Sequence, residues 1–216
     1  MEAIALLTGS GWASGINLYL VTFMLGIAGR LGWSDLPDVF SRTDVMIVAG
    51  VLVVVEFVTD KVPYLDNVWD AIHTVARPLG AGVIGAVMAG QSPSIGAVMG
   101  GAVAALLALN AHSAKATTRL AINASPEPVS NVSLSLLEDV SVAGLMALAL
   151  THPLITLIVV AVLVIGASAL TFWLWRVARR SWRRIRQRIG VTAPRSGPSV
   201  ENNGNEAADP NATSGL

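Results

Sequence analysis

Residues 3–29 read AIALLTGSGWASGINLYLVTFMLGIAG, and none of these 27 residues carries a charge. As one α-helix the stretch would be about 40 Å long, whereas the hydrocarbon core of a bilayer is only about 30 Å thick. A run of this kind predicts a retained membrane segment rather than a cleaved leader. Its excess length predicts that the helix is either tilted or broken, near Gly9-Ser10-Gly11 and Ser14-Gly15.

The composition of the whole chain also favours a membrane protein over a water-soluble one. Of the 216 residues, 53% are hydrophobic and only 13% are charged, whereas about a quarter of a soluble domain is charged. Eight of the 14 Lys and Arg residues lie between Arg176 and Arg195, which leaves six for the first 175 residues. A soluble surface needs more charge than this. The absence of Cys excludes disulfides and thiolate metal sites.

Further apolar runs predict an all-α, polytopic membrane protein of about six transmembrane helices. The second run is short, so Glu56 is expected within the membrane. Gln91-Ser92-Pro93-Ser94 divides the 37 uncharged residues 78–114, because Pro and small polar residues mark a turn. The predicted spans are residues 3–29, 45–59, 71–90, 94–113, 132–150 and 154–175.

Six spans divide into two sets of three, and an odd number of spans per set inverts the second copy, as in many transporters. Gly15-Ile16-Asn17 in the first span resembles Ala108-Leu109-Asn110 in the fourth. Glu56 in the second span and Glu138-Asp139 in the fifth lie at comparable places. These matches favour two inverted three-helix repeats only slightly, and a fold without a repeat stays open.

The chain divides into a transmembrane domain (1–175), an Arg-rich segment (176–190) and a tail (191–216). The Arg-rich segment predicts the cytoplasmic end of the last helix, in contact with anionic lipid headgroups, in a multi-pass protein of the inner (cytoplasmic) membrane. With six spans, both termini would lie on the cytoplasmic side. Nucleic acid is not expected as a partner, whereas a homo-oligomer is an open alternative. The tail is rich in Gly, Pro, Ser, Asn and Ala, which predicts disorder.

Ionisable residues within the apolar runs predict a polar centre. An ionised side chain in hydrocarbon costs at least about 2.5–3.5 kcal/mol, so it must face the bundle interior, water or another charge. Adjacent residues on a helix point about 100° apart, so Glu138 and Asp139 cannot face one partner. The candidate residues for an ion, proton or substrate site are Glu56, Asp60, Asp66, Asp70, His73, Arg77, Glu138 and Asp139.

Asp66, Asp70, His73 and Arg77 are spaced 4, 3 and 4 apart, which places them on one face of a helix. The first three are also candidate ligands of a divalent metal, but no fourth ligand is visible nearby. The metal is therefore unknown, and no cofactor is expected. The sequence contains none of the nucleotide-binding, zinc-protease or serine-hydrolase motifs, so it does not favour an enzyme.

Four polar residues in the first and fourth spans are candidates for lining a cavity. The alternative for each is a single hydrogen bond between helices. They are Asn17, Tyr19, Asn110 and His112.

Three motifs resemble those of a bacterial membrane family known only as domain of unknown function 4126. Ala13-Ser14-Gly15-Ile16-Asn17-Leu18-Tyr19 resembles the opening signature of the family. The segment that begins Glu56-Phe57-Val58-Thr59-Asp60 and ends Arg77-Pro78-Leu79-Gly80 is similar to its central motif. Residues 125–131 and Leu137-Glu138-Asp139 look like the later one. The resemblance covers residues 4–175; it implies a small multispan membrane protein and no particular activity.

Three functional hypotheses follow. The first is a small proton- or cation-coupled transporter or permease, in which Glu56, Asp60, Glu138 and Asp139 handle protons or cations and Arg77 is the counter-ion or an anion ligand. The second is a non-catalytic membrane scaffold whose arginines and carboxylates only pair. The third is an intramembrane, metal-dependent enzyme acting on lipid headgroups through Asp66, Asp70 and His73.

Overall fold

The structure is a computed structural model that describes residues 1–62, 65–90, 96–123 and 128–190, and the side chains of all of these except 123, 128 and 184–190. The described residues form helices and short connections, with no strand among them, so the predicted all-α class is confirmed. The predicted disordered tail (191–216) lies outside the described residues. The helices are α1 (Glu2–Ser14), α2 (Leu18–Arg30), α3 (Asp38–Ser41), α4 (Thr43–Thr59), α5 (Leu65–Ala89), α6 (Ala97–Asn123), α7 (Pro128–Thr151) and α8 (Pro153–Gly190).

The chain divides into two compact units, Met1–Val177 and Ala178–Leu216. Every residue of the site described below belongs to the first unit. In the second unit, the described residues continue α8 to Gly190.

The polarity of the first unit is that of a membrane-embedded protein. Val83, Leu106 and Ile158 are at least 64% exposed, whereas Glu56 and Arg77 are completely buried. Apolar side chains on the outside and charges on the inside suit hydrocarbon rather than water. Within the described residues, four segments are long and apolar enough to cross a membrane: Leu65–Ala89, Ala97–Ile122, Val129–Thr151 and Pro153–Arg183.

The uncharged run at the start of the chain forms a hairpin of two short helices instead of the first predicted span. The chain breaks after α1, and the Asn17 side chain caps α2 by accepting the Leu20 N–H at 2.9 Å. A cavity of about 240 Å³ is lined both by Glu2 and Leu6 of α1 and by residues 34–37, which follow α2. The open ends of α1 and α2 therefore lie side by side, and residues 15–17 form the tip of the hairpin. The predicted break at Ser14-Gly15 is present, but it returns the chain to its starting side.

Glycine allows the hairpin tip to approach α6. A Cβ atom on Gly11 would lie 2.9 Å from Ala104 Cα, and one on Gly15 would clash with the main-chain oxygen of Ala108. Since Gly11 meets Ala104 and Gly15 meets Ala108, α1 runs parallel to α6. α6 is continuous through Asn110, so the two segments that suggested an inverted repeat, 15–17 and 108–110, have different structures.

The helices that follow the hairpin are longer than predicted. α5 begins at Leu65 rather than at residue 71, and α6 continues to Asn123 through a segment expected to be a polar connection. Lys115 is 5% exposed and Arg119 is fully buried, so neither belongs to a loop. Both cations are stable inside the bundle because carboxylates from α4 and α7 pair with them.

Candidate functional site

Arg77 of α5 connects carboxylates and a histidine inside the bundle. Its Nη2 donates to Glu56 Oε1 at 2.7 Å, and its Nη1 donates to Asp70 Oδ1 at 3.0 Å and to His112 Nδ1 at 2.8 Å. The Thr74 hydroxyl donates to the Asp70 carbonyl at 3.0 Å, so it accepts from His112 Nε2, also at 3.0 Å. These bonds fix His112 as the neutral tautomer with its proton on Nε2.

Lys115 lies three residues after His112 in α6. Its ammonium group is surrounded by oxygen atoms from α4 and the residue that follows it, from α7 and from the hairpin tip. Its Nζ is 2.8 Å from Asp60 Oδ2, 3.4 Å from Glu138 Oε2 and 3.7 Å from Glu56 Oε1. It also donates to the main-chain oxygen of Ile16 at 3.2 Å. The ammonium group thus joins α4, α7 and the hairpin tip.

Arg119, one turn after Lys115, completes the row of cations. It pairs with Glu138 through both Nε and Nη2. Its Nη1 donates to the Asp60 carbonyl and to Asn131 Oδ1, each at 3.0 Å, and lies 3.4 Å from Asp66 Oδ2. Asn131 in turn donates to the Asp60 carbonyl at 3.0 Å. All three nitrogens of the Arg119 guanidinium therefore have hydrogen-bond partners.

The hairpin tip is held by polar groups from α5, α6 and α7. Arg77 Nη1 lies 3.5 Å from the Gly15 carbonyl, and Lys115 bonds the Ile16 carbonyl. Asn17 donates to Asp139 Oδ1 at 3.1 Å. Carbonyls at the C-terminal end of a helix carry partial negative charge, which suits the two cations. As predicted, Glu138 and Asp139 face different partners, here Arg119 and Asn17.

Tyr19 and His73 form a separate pair. His73 Nδ1 donates to the Trp69 carbonyl at 2.8 Å, so its Nε2 accepts from the Tyr19 hydroxyl at 3.0 Å. Tyr19 lines a cavity of about 520 Å³ among α2, α4 and α5, together with Val48 and Val83. Both valines are more than half exposed, so this cavity is an apolar groove that opens toward the lipid.

The proposed metal ligands do not converge. Asp66 faces Arg119, Asp70 faces Arg77 and His73 faces Tyr19. Within residues 1–62, 65–90, 96–123 and 128–183, no three His, Asp or Glu side chains are placed to hold a metal ion. The spacing along α5 did place the residues on one face, but each has a different partner, on α6 for Asp66, on α5 itself for Asp70 and on α2 for His73. The three-ligand site on which the metal-dependent enzyme hypothesis depends is therefore not formed.

Asn110 lies outside the charge cluster. It accepts from Trp12 Nε1 at 3.3 Å and donates to Ser168 Oγ at 2.8 Å, within a groove of about 540 Å³ between α6 and α8. Of the four candidates for lining a cavity, Asn17 and His112 are therefore buried partners of charged residues, whereas Tyr19 and Asn110 line lipid-facing grooves.

The cluster contains more acidic than basic groups. Among the described side chains, four buried carboxylates (Glu56, Asp60, Asp66 and Asp70) and two half-buried ones (Glu138 and Asp139) accompany three buried cations (Arg77, Lys115 and Arg119). If every carboxylate is ionised, three negative charges are in excess, and the half-buried Lys61 at the edge reduces the excess to two. Within the same part of the chain, no hydrogen-bond partner is present for the buried oxygens Glu56 Oε2, Asp60 Oδ1 and Asp70 Oδ2. Buried, unbalanced carboxylates take up protons or cations, because burial penalises their charged form.

The residues that sequence reasoning missed are Lys115, Arg119 and Asn131. Lys115 and Arg119 lie between an apolar run and Pro126, and Asn131 follows Pro128, in a segment whose composition is typical of a loop. The spacing of His112, Lys115 and Arg119, at intervals of 3 and 4, was the available signal that the helix continues with one polar face.

The geometry defines a multi-helix membrane protein whose interior holds one connected ion-pair cluster. The profile of a family described as a domain of unknown function, number 4126, matches residues 4–176, and the chain belongs to this family. The resemblance indicated by the three sequence motifs is thereby confirmed. No curated protein and no solved structure matches the chain.

Proposed function

We propose that this protein is a small membrane transporter driven by protons or small cations. The observation that carries the proposal is the excess of buried and half-buried carboxylates over cations in the cluster at the centre of the bundle. Four carboxylates, Glu56, Asp60, Glu138 and Asp139, would load and release the coupling ion. Arg77 would balance part of their negative charge when no ion is bound.

The broken hairpin gives the proposal its second support. Discontinuous helices inside a membrane place main-chain carbonyls and helix ends at a central site, and transporters use such ends to bind ions. Here the tip carbonyls of Gly15 and Ile16 face Arg77 and Lys115. The tip is therefore the element that a change in the charge of the cluster would affect first.

A membrane scaffold is the second candidate, and one observation favours it. Each of the three buried cations already pairs with at least two carboxylates. A network of this kind can fix the packing of helices without binding anything. The two candidates differ in whether the carboxylates exchange ions with the surrounding water.

We further propose a bacterial inner-membrane location, with the hairpin entering from one side and α4 to α8 crossing the bilayer. The Arg-rich end of α8 would lie in the cytoplasm against anionic lipids, since basic residues are enriched at cytoplasmic ends. Met1 lines a cavity together with residues 151–155, at the start of α8, so in this proposal the N-terminus would lie on the non-cytoplasmic side. This replaces the cytoplasmic N-terminus expected for six spans. A homo-oligomer stays a prediction.

Charge movement in reconstituted protein tests the transporter. The purified chain in vesicles on a capacitive electrode is exposed to a jump in proton, sodium or potassium concentration. Uptake into the cluster gives a transient current even without a co-substrate. We expect a transient for one of these ions, its loss in Glu56→Gln, and its retention in Asp44→Asn, a matched carboxylate on the exposed surface. The absence of any transient in a folded wild-type chain would favour the scaffold.

A further inference from the structure

One face of α1 connects a cavity at the open end of the hairpin to the charge cluster. Glu2, Leu6, Ser10 and Ser14 follow at intervals of four, so they lie in a row along the helix. From the first to the last is about 18 Å along the helix axis, more than half of the ~30 Å thickness of the hydrocarbon core.

The mouth of this row is polar and acidic. Glu2 and Asp35 both line the cavity of about 240 Å³, together with Leu6 and Met88. Below it, Leu6 is 4% and Met88 8% exposed, and Met88 Sδ lies 3.6 Å from Ser10 Oγ. Two apolar side chains thus separate the cavity from the first serine.

Beyond this barrier, the row contains two serine hydroxyls within a largely apolar helix. Ser10 and Ser14 are completely buried. The Ser14 hydroxyl has no hydrogen-bond partner among the described residues, although leaving a buried hydroxyl unpaired is unfavourable. The next residue is Gly15, whose carbonyl faces Arg77. An unpartnered hydroxyl beside the charge cluster is a place for a water molecule or a hydrated ion.

We propose that this face of α1 is one half of a cation path, closed in this structure by Leu6 and Met88. It would take a small monovalent cation, the hydronium ion included, from the acidic mouth to the carboxylates around Arg77. The proposal rests on the proposed transport function, for which it supplies the entry route and the gate. A cation is the ligand that the chemistry selects, because carboxylates stand at both ends.

Cysteine accessibility tests the path cleanly, because the chain has no native Cys. Ser10→Cys and Ser14→Cys each add one thiol with little change in size. A membrane-impermeant, cationic methanethiosulfonate reagent is added to the vesicles on the side of the mouth, and its anionic counterpart is added in a parallel experiment. The control is Thr156→Cys: Thr156 is equally buried and packs against Gly9, so it lies near the depth of Ser10 on another side of α1.

The expected result is that the cationic reagent modifies both serine-row cysteines at least about tenfold faster than the anionic one, because an acidic cleft concentrates cations. Thr156→Cys should stay unmodified by either. Met88→Ala, which shortens the barrier, should accelerate the reaction of Ser14→Cys, and Leu6→Ala provides a second opening if Met88→Ala does not fold. Reaction at Ser14 no faster than at Thr156, with the barrier both intact and opened, would overturn the path.

Mass spectrometry measures how much of the thiol is modified, so it tests the path without any transport measurement. If Ser14→Cys reacts but the wild-type chain shows no charge movement, the path stands and coupled transport fails. If the wild type moves charge and Ser14→Cys is never modified, the transporter stands and this path is wrong. Loss of the transient after modification, in a pH jump or in a sodium jump, identifies the cation that uses the path.

Discussion

The ammonium nitrogen of Lys115 lies 3.2 Å from the main-chain oxygen of Ile16, so the middle of α6 is bonded to the break in the hairpin. The same nitrogen contacts carboxylates of α4 and α7. The position of the hairpin and the charge balance of the cluster are thus coupled through one side chain.

Lys115→Met is expected to destabilise the protein strongly. The change removes the cation but leaves Asp60 and Glu138 in place, and breaking a buried ion pair from one side costs about 3–5 kcal/mol. The measurement is the free energy of unfolding in detergent, followed by tryptophan fluorescence. The control is Lys61→Met, a half-buried Lys that bonds the Phe57 carbonyl, for which we expect a much smaller loss. Equal losses for the two variants would show that Lys115 has no special role.

Gly15→Ala is expected to displace the hairpin tip. Its new methyl group would meet the main chain of α6 at Ala108, and such overpacking costs about 1–3 kcal/mol. Gly144→Ala in α7 is the matched control, since its new methyl group would meet no heavy atom of the described residues within 4 Å, and Ala favours a helix by about 0.5–1 kcal/mol. Thermal unfolding of both variants in detergent compares them, and a Gly15→Ala protein as stable as Gly144→Ala would contradict the close approach.

Glu56 and Arg77 should behave as one energetic unit. In a double-mutant cycle of Glu56→Gln and Arg77→Gln, contacting residues couple by roughly 0.5–3 kcal/mol. Arg42 and Asp44 form an exposed pair and serve as the reference, for which a much weaker coupling is expected. The quantity compared is the unfolding free energy of each single and double variant. Additive effects at Glu56 and Arg77 would mean that the 2.7 Å contact contributes nothing to stability.

The hairpin predicts an unusual labelling pattern. Ala3→Cys and Asp38→Cys should react with an impermeant thiol reagent from the same side of the membrane. The reason is that the hairpin of α1 and α2 returns the chain to the side on which it began. Val62→Cys, after α4, should react from the opposite side. If residues 3–29 instead crossed the bilayer once, Ala3 and Asp38 would lie on opposite sides, and this result would refute the hairpin.

The sequence alone predicted the features that depend on local pattern. Uncharged runs indicated several apolar membrane helices but not their number, and Ser14-Gly15 was one of the two places at which a break in the first run was expected. The adjacency of Glu138 and Asp139 predicted that they face different partners. The number of spans was not predictable in the same way, because 27 uncharged residues fit one tilted helix as well as two short ones. Only the close approach of Gly15 to α6 decides between them.

The buried cations Lys115 and Arg119 were not predicted from the sequence as site residues. Lys115 and Arg119 lie in a stretch whose polarity resembles a loop, and only their carboxylate partners, distant in sequence, keep them inside the bundle. In the metal hypothesis, the local spacing was read correctly, but it did not show where the side chains would find their partners. Asp66, Asp70 and His73 share a helix face, but each binds a different partner: Arg119 of α6, Arg77 of α5 itself and Tyr19 of α2.

The ion pairs also constrain how the protein is made. Glu56, Arg77, Lys115 and Glu138 reach the ribosome exit in that order, so the helices before α7 enter the translocon before all of their partners exist. A lone buried charge costs a few kcal/mol on insertion, so the early helices stay at the edge of the translocon until α7 arrives. A chain truncated before residue 138 should therefore be degraded rather than left inserted.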